Sequence, residues 1–179
     1  MSVFTQHLYE QTLVLRCQLG DTEAFRELLT LHSPRLLRFV RKMLLSAPDR
    51  VEDITQEIWI RIHHSLPTLV DAGKFLPWAF RIARDRVYRE FRQRKLPMGS
   101  LDEADREAVP VAEEPSIDTE EIQRGLDALS PEHREVLVLR YFEEMDYESI
   151  ARITGTTLGT IRSRLHYAKC ALRRAFQLL

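Results

Sequence analysis

Apolar side chains recur every three or four residues along most of the chain, and this spacing restricts the fold more than any other feature. One example is the stripe formed by Val51, Ile54, Ile58 and Ile62. Residues at this spacing fall on one face of an α-helix, whereas the alternation typical of a β-strand does not persist over any length. The chain also has only 6 glycines and 8 prolines among its 179 residues. The sequence therefore predicts an all-α fold.

Five helices are predicted in the first half of the chain. The first is expected to end at Gly20, and Asp21 is suited to cap the second. We expect the second helix to stop before Pro34, because proline is favoured in the first turn of a new helix. A fourth helix over residues 51–66 and a fifth over about residues 75–94 complete the set.

Residues 97–118 lack the apolar spacing and contain three prolines and most of the acidic excess. Such a segment buries too little apolar surface to offset the entropy of ordering it, so we expect a flexible acidic linker. The linker separates two small helical domains, residues 1–96 and 119–179. Four helices are predicted in the second domain, one of them capped by Ser130 with Pro131 in its first turn. The side chains expected on the inner face of that helix are Val136, Leu137, Leu139 and Tyr141.

Charge is strongly segregated, although the formal net charge is only -1. Residues 74–95 contain eight basic and two acidic side chains, and residues 101–122 contain nine acidic and one basic. Residues 149–179 contain no acidic side chain. Two basic surfaces separated by an acidic segment indicate a polyanionic partner that is held at two points.

The segment from Asp146 to Arg164 has the pattern of a helix-turn-helix. Asp146 can cap its first helix, Gly155 suits the turn, and Thr156 or Thr157 can cap the second helix. The start of the second helix carries Thr, Arg and Ser side chains, which can donate to base edges and phosphates in a major groove. A helical hairpin with a solvated basic face is the simpler alternative. The coincidence of cap, turn glycine and missing acidic residues favours DNA.

A resemblance to extracytoplasmic function (group IV) sigma factors of the sigma-70 family extends over nearly the whole chain. Their C-terminal domain is similar to LSPEHREVLVLRYFEEMDYESIARITGTTLGTIRSRLHYAKCALRR. Their N-terminal domain is similar, in order, to GDTEAFRELLTLHSPRLLRFVRKML, VEDITQEIWIRIHHSL and FLPWAFRIARDRVYREFRQRK. The resemblance implies a promoter-specificity subunit of bacterial RNA polymerase that assists promoter opening, without catalysis of its own and without a cofactor.

In that family the helix-turn-helix contacts the −35 promoter element, so the resemblance implies a −35 site on the last helix. The residues assigned by position are Thr157, Gly159, Thr160, Arg162, Ser163, Arg164, His166 and Lys169. Arg162 and Ser163 are the candidates for base contacts. His166 and Lys169 are expected nearer the DNA backbone. Thr154 and Tyr167 depart from the family, which usually has an apolar and a basic residue there.

The resemblance also implies that the fifth helix and the loop before it contact the −10 element and capture unstacked bases. We expect loop 67–74 to form the pocket and a row of charged side chains to follow the backbone of the DNA. The assigned −10 residues are Lys74, Arg81, Arg84, Asp85, Arg86, Arg89, Arg92, Arg94 and Lys95. Asp85 replaces the asparagine common in the family, and because it only accepts hydrogen bonds it can favour the amino group of cytosine. Trp78 suits either base stacking or the core, and we favour the core.

The fourth helix resembles the segment that binds the clamp helices of the largest polymerase subunit. Asp53, Gln56 and Glu57 share one of its faces, away from the apolar stripe. A general acid/base pair of Asp53 and Glu57 is the alternative, but it lacks a pocket and metal ligands. His63 and His64 are adjacent and point in different directions on a helix, so no metal site is predicted.

The predicted partners are core RNA polymerase, promoter DNA and an anti-sigma factor, which commonly holds members of this family inactive. No run of about 18 apolar residues predicts a membrane span, and the first residues lack the pattern of a secretory signal, so we expect a cytoplasmic location. Cys17 and Cys170 are expected to be small core residues. The alternative function is a stand-alone dimeric helix-turn-helix regulator, in which the basic fifth helix and the acidic fourth-helix face would have no role.

Overall fold

The protein was analysed as a computed structural model that describes residues 3–94 and 119–177. All regular structure within these two ranges is helical, which confirms the predicted all-α fold. Lys95 and the predicted linker lie outside the described residues.

The N-terminal helices enclose one apolar core. They are α1 (Val3–Gln18), α2 (Thr22–Met43), α3 (Val51–Ser65) and α4 (Phe75–Arg94), with short 3₁₀ turns at Pro48–Arg50, Leu66–Thr68 and Ala72–Lys74. The α3 stripe predicted from the sequence is buried throughout. At the centre the rings of Phe39 and Phe80 meet edge to face, with centroids 5.4 Å apart. The core holds α3 and α4 side by side, which sets the position of their outer faces.

The predicted break before Pro34 is wrong, because α2 continues through this residue as a single helix. Proline removes one backbone hydrogen bond, here the bond to the carbonyl of Thr30. Both Pro34 and Thr30 are exposed, so water can satisfy that carbonyl. Buried side chains on both sides, such as Leu28 and Leu36, keep the helix in place by packing.

The C-terminal helices are shorter and include one irregular turn. They are α5 (Thr119–Asp127), α6 (Pro131–Leu137), a π-helical segment (Val138–Phe142), α7 (Tyr147–Thr154) and α8 (Leu158–Gln177). Ser130 caps α6 as predicted, and its hydroxyl accepts the N–H of His133 at 3.4 Å. Tyr141, which was predicted to face inward, is 51% exposed. The wider π turn, in which the N–H of Glu143 donates to the carbonyl of Val138, shifts the helical register and turns Tyr141 outward.

Helix ends follow the predicted capping residues closely. Gly20 has φ of 88°, and the Asp21 carboxylate accepts the N–H groups of Glu23 and Ala24, both at 3.0 Å. The Asp146 carboxylate accepts the N–H of Ser149 at 2.6 Å and so starts α7. That hydrogen bond lowers the pKa of Asp146.

Replacing the α7 cap, Asp146→Ala, is expected to cost about 1 kcal/mol, because the N–H of Ser149 loses its acceptor. Asp146→Asn keeps a side-chain oxygen and should retain most of the stability. Urea denaturation followed by circular dichroism measures both variants. Equal stability of the Ala variant and the wild type would contradict the capping role.

The two sets of helices are in direct contact. Helix α4 packs against α7, and α2 packs against α6 and the π-helical segment. Arg134 crosses this boundary, since its Nη1 donates to the carbonyl of Met43 at the end of α2 at 2.9 Å.

Candidate nucleic-acid interface

Helices α7 and α8 form the predicted helix-turn-helix. Gly155 closes α7 with φ of 69°, and its N–H donates to the carbonyl of Ala151 at 2.9 Å. Any residue with a Cβ would be strained in this left-handed conformation. The Thr157 hydroxyl then accepts the N–H of Thr160 at 3.2 Å and starts α8. The turn fixes the angle at which the first residues of α8 leave the protein surface.

Most of the side chains predicted for the −35 element are accessible on α8. The exposed ones are Thr157, Gly159, Arg162, Ser163, His166 and Lys169, while Thr160 and Arg164 are half-buried. The buried face of the same helix is formed by Ile161, Leu165 and Ala168. Packing of that apolar face presents Arg162 and Ser163 to the outside.

The structure shows the surroundings of the two residues that depart from the family pattern. Thr154 is buried, and its hydroxyl donates to the carbonyl of Ile150 at 2.9 Å, so a polar group is satisfied where the family usually has an apolar one. Tyr167 is half-buried, with its ring edge to face with that of His166 at 5.5 Å between centroids. Neither change disturbs the turn itself.

Exposed charges line the outer side of α4. Lys74, Arg81, Asp85, Arg89, Arg92 and Arg94 are exposed. Arg84 and Arg86 are half-buried. A groove of about 670 Å³ lies between α3 and α4, with Glu57 on one side and Arg89 and Arg92 on the other. Thus Glu57, one of the predicted polymerase-binding residues, borders the same groove as five of the predicted −10 residues.

Arg86 takes part in an ion-pair network that the sequence analysis missed. Its Nε lies 2.5 Å from the Glu57 carboxylate on α3, and its Nη1 lies 3.0 Å from Glu90. Glu90 is buried and also pairs with Arg94 at 3.0 Å and Arg50 at 3.4 Å. The hydrogen bond from Arg86 lowers the pKa of Glu57. The i, i+4 spacing of Glu90 to Arg86 and to Arg94 was the available sequence signal.

The acidic face of α3 is exposed. Asp53, Gln56 and Glu57 all reach solvent, as expected for a binding surface, and Asp53 pairs with Arg50 at 2.8 Å. His63 and His64 are exposed at the end of the helix. In the part of the chain that the structure describes, no group of three His, Cys, Asp or Glu side chains is arranged to hold a metal ion.

The loop between α3 and α4 is fixed at its base and open at its tip. The Nε2 of Gln18 donates to the carbonyls of Leu66 and Leu69, at 3.1 and 2.7 Å. The Asp71 carboxylate accepts the N–H of Gly73 at 3.0 Å. Val70 at the tip is fully exposed. An exposed apolar side chain on a loop that is fixed by hydrogen bonds can contact an unstacked base. The sequence analysis did not assign this role to Val70.

Trp78 and the two cysteines lie between core and surface. Trp78 is half-buried and packs against the core, near Phe75. Cys17 and Cys170 are half-buried free thiols, and burial raises the pKa of Cys17 to about 11.

Among the described residues, no helix combines the length and the apolar character that crossing a membrane requires.

Two family models match most of the chain. The model of sigma-70 region 2 matches residues 28–96, and the model of sigma-70 region 4 matches residues 119–172. The matched ranges contain α3 with α4 and the helix-turn-helix, respectively. The two matches fall on either side of the predicted linker.

Curated relatives agree with these models. The ECF RNA polymerase sigma factor SigE of Mycolicibacterium smegmatis is 34% identical, over 86% of this chain and 63% of the relative. The ECF RNA polymerase sigma-E factor of Escherichia coli K12 is 28% identical, over 97% of each chain.

Solved structures have a similar fold. The sigma factor RpoE, in its complex with the anti-sigma factor NepR from Bartonella quintana, superposes with a TM-score of 0.71 at 26% identity, over 87% of this chain and 98% of RpoE. CnrH, solved with the cytosolic domain of CnrY, gives 0.72 at 19% identity, over 95% and 98%. The chain therefore belongs to the extracytoplasmic function sigma factors of the sigma-70 family, and it is a promoter-specificity subunit of bacterial RNA polymerase.

Proposed function

We propose that α8 contacts the −35 element, that α4 and the loop before it contact the −10 element, and that the acidic face of α3 binds the clamp helices of the largest polymerase subunit. The observation that supports this most strongly is the helix-turn-helix. Gly155 and the Thr157 cap direct the first turns of α8 outward with Arg162 and Ser163 exposed. A helix presented in this way fits the major groove.

At the −10 element, α4 and the loop before it have separate roles. Val70 contacts an unstacked base, and Arg81 and Arg89 hold the backbone of the DNA strand. Asp85 is exposed and can accept a hydrogen bond from the amino group of cytosine. Arg84 and Arg86 require their carboxylate partners to be displaced before they can bind phosphate.

The proposal includes the predicted domain bounds, with residues 1–96 and 119–179 as domains and 97–118 as the connection. The chain has no catalytic activity of its own, and it acts in the cytoplasm, where core polymerase transcribes the chromosome. An anti-sigma factor is a further proposed partner, since the similar RpoE was solved in complex with NepR. A stand-alone dimeric regulator is not favoured, because the similarity to polymerase sigma factors extends through both domains.

The −35 assignment predicts that Arg162→Ala weakens binding of the holoenzyme to promoter DNA by about 1–3 kcal/mol, if the guanidinium contacts a base. A gel-shift series over several −35 sequences measures the loss, which should be largest for the cognate sequence. A variant that binds all sequences as the wild type does would remove Arg162 from the −35 site.

Arg173→Ala is the matched control. Arg173 is exposed on the same helix, eleven residues or about three turns further along, so it lies on a similar face far from the start of α8. It should lower affinity only slightly and equally for all sequences, through lost attraction to phosphate. Equal and sequence-independent losses from both substitutions would contradict a base contact by Arg162.

A further inference from the structure

Helix α1 packs against both ends of the loop of residues 66–74, which joins α3 to α4. It contacts the 3₁₀ turn Leu66–Thr68 at the start of this loop and the turn Ala72–Lys74 at its end. The exposed tip around Val70 lies between the two turns. Helix α1 takes no part in the promoter contacts proposed above, but its position allows it to act on the −10 element through the loop.

Gln18, the last residue of α1, holds the first turn of the loop through two hydrogen bonds. Its Nε2 donates to the carbonyl of Leu66 at 3.1 Å and to the carbonyl of Leu69 at 2.7 Å. A side-chain amide nitrogen carries two N–H groups, so both donors are used. The carbonyl of Leu66 also accepts the N–H of Leu69 at 3.1 Å, which closes the turn.

The hydrogen bond from Gln18 to Leu69 acts directly on the tip of the loop. The carbonyl of Leu69 belongs to the peptide group that links Leu69 to Val70, and a peptide group is planar. Fixing the direction of this carbonyl therefore fixes the plane from which the backbone of Val70 starts. Because Val70 is fully exposed, packing of its side chain cannot orient the tip. The orientation depends instead on backbone contacts such as this one.

Helix α1 also comes close to the end of the loop. A Cβ added at Gly73 would lie 2.9 Å from the Nε2 of Gln11, so a side chain at this position would displace the Gln11 amide. The N–H of Gly73 donates to the carboxylate of Asp71 at 3.0 Å, and the same carboxylate pairs with Lys74 at 2.9 Å. Both ends of the loop thus lie against α1.

Helix α1 is itself fixed to the core. Leu13 and Val14 are fully buried, and the Glu10 carboxylate lies 3.1 Å from the Nε2 of His32, a buried residue of α2. The ring of His32 lies against that of Phe75, the first residue of α4, with centroids 5.3 Å apart. The side chains of α1 therefore have a defined position relative to the start of α4, and α1 can serve as a rigid support for the loop.

We propose that Gln18 is a positioning residue for promoter opening, which holds the loop and Val70 at its tip in the conformation that receives an unstacked base. The proposal rests on the contact with the −10 element proposed above for this loop. A loop that is ordered before binding loses less conformational entropy when the base arrives, so preorganisation strengthens binding of the unpaired strand. Binding of polymerase and of the −35 element involves other helices and should not depend on Gln18.

Hydrogen exchange of the free full-length chain, followed by NMR, tests whether Gln18 orders the loop. Gln18→Met removes both donors and keeps a side chain of similar length. The amide of Leu69 should then exchange about tenfold faster, because its turn opens more often after the loss of two hydrogen bonds. Gln18→Lys has donors of similar reach and should restore part of the protection. Gln6→Met makes the same change at an exposed position of α1 and should leave the exchange unchanged.

Binding of single-stranded DNA to the holoenzyme tests the consequence for the promoter. The probes are the two single strands that cover the −10 element of a promoter identified by mapping transcript start sites. Gln18→Met should weaken binding of the recognised strand about tenfold, and Gln18→Lys should give a smaller loss. Affinity for core polymerase, and for a duplex that contains only the −35 element, should stay unchanged. A general loss of structure would not separate these three affinities.

Unchanged exchange at Leu69 in the Gln18→Met variant would overturn the proposal. Faster exchange without weaker binding of the single strand would also overturn it, as would equal effects of Gln18→Met and Gln18→Lys or a parallel loss of polymerase binding.

The variant Val70→Ala tests the proposed function separately. If the wild-type and Val70→Ala holoenzymes bind the single strand equally well, the proposed contact of Val70 with the −10 element is contradicted. The exchange measurement still decides in that case whether Gln18 orders the loop, because it involves neither DNA nor polymerase.

Discussion

The double substitution Asp53→Lys/Glu57→Lys is expected to weaken binding of the chain to core RNA polymerase by at least about 100-fold. Both carboxylates are exposed on one face of α3, opposite its buried apolar stripe. Close charge pairs across an interface contribute about 1.5–7 kcal/mol each, and reversal adds repulsion to the lost attraction. Affinity purification with polymerase, or fluorescence anisotropy with labelled chain, measures the loss.

The structure also indicates which controls this experiment needs. Glu57 pairs with Arg86, so reversing its charge places an ammonium group beside a guanidinium and can loosen the contact between α3 and α4. Glu57→Gln removes the charge without that repulsion and should give an intermediate loss. Glu23→Lys makes the charge change of one of these two substitutions at an exposed site on α2 and should leave polymerase binding nearly unchanged. Retained polymerase binding by the double variant would contradict the assignment of α3.

The second large effect is expected on stability. Arg134→Met should lower the free energy of unfolding by about 3 kcal/mol, because the guanidinium is buried and satisfies several groups that would be left unpaired. Its donors reach the carbonyls of Leu126 at 2.8 Å, Asp127 at 3.0 Å and Met43 at 2.9 Å. Methionine fills much of the same volume, so the loss reports the hydrogen bonds more than a cavity.

Urea denaturation of the full chain measures this loss. Arg124→Met is the control, since Arg124 is exposed on the neighbouring helix α5, and its substitution should change stability by less than about 0.5 kcal/mol. A loss below about 1 kcal/mol for Arg134→Met would show that water replaces the guanidinium at these carbonyls.

Local features of the fold could be predicted because their causes are local. Asp21, Ser130 and Asp146 cap helices as expected, since a capping side chain acts on backbone groups two or three residues away. Gly155 adopts the left-handed conformation for a similarly local reason. The break predicted before Pro34 was wrong, because the packing of α2 on both sides of this residue outweighs the preference of proline for the start of a helix.

The candidate site was predicted less completely, for reasons that depend on distant residues. Exposure of Arg162 and Ser163 follows from helical periodicity, which the sequence contains. The ion-pair partners of Arg84 and Arg86 cannot be predicted from helical periodicity, because they are distant in sequence. Glu135 is 51 residues from Arg84, and Glu57 is 29 residues from Arg86. Likewise, nothing in the local sequence distinguishes Glu143, which is fully buried, from the exposed Glu144 beside it. Their roles depend on how the two domains pack.

Transcription in vitro with purified bacterial core polymerase tests the central claim most directly. With the chain present, the polymerase should initiate transcription at defined start sites on genomic DNA. The sequences upstream of those sites should share one −35 and one −10 element at fixed spacing. Core polymerase without the chain should produce no such starts. Transcripts with the same start-site distribution with and without the chain would contradict the account.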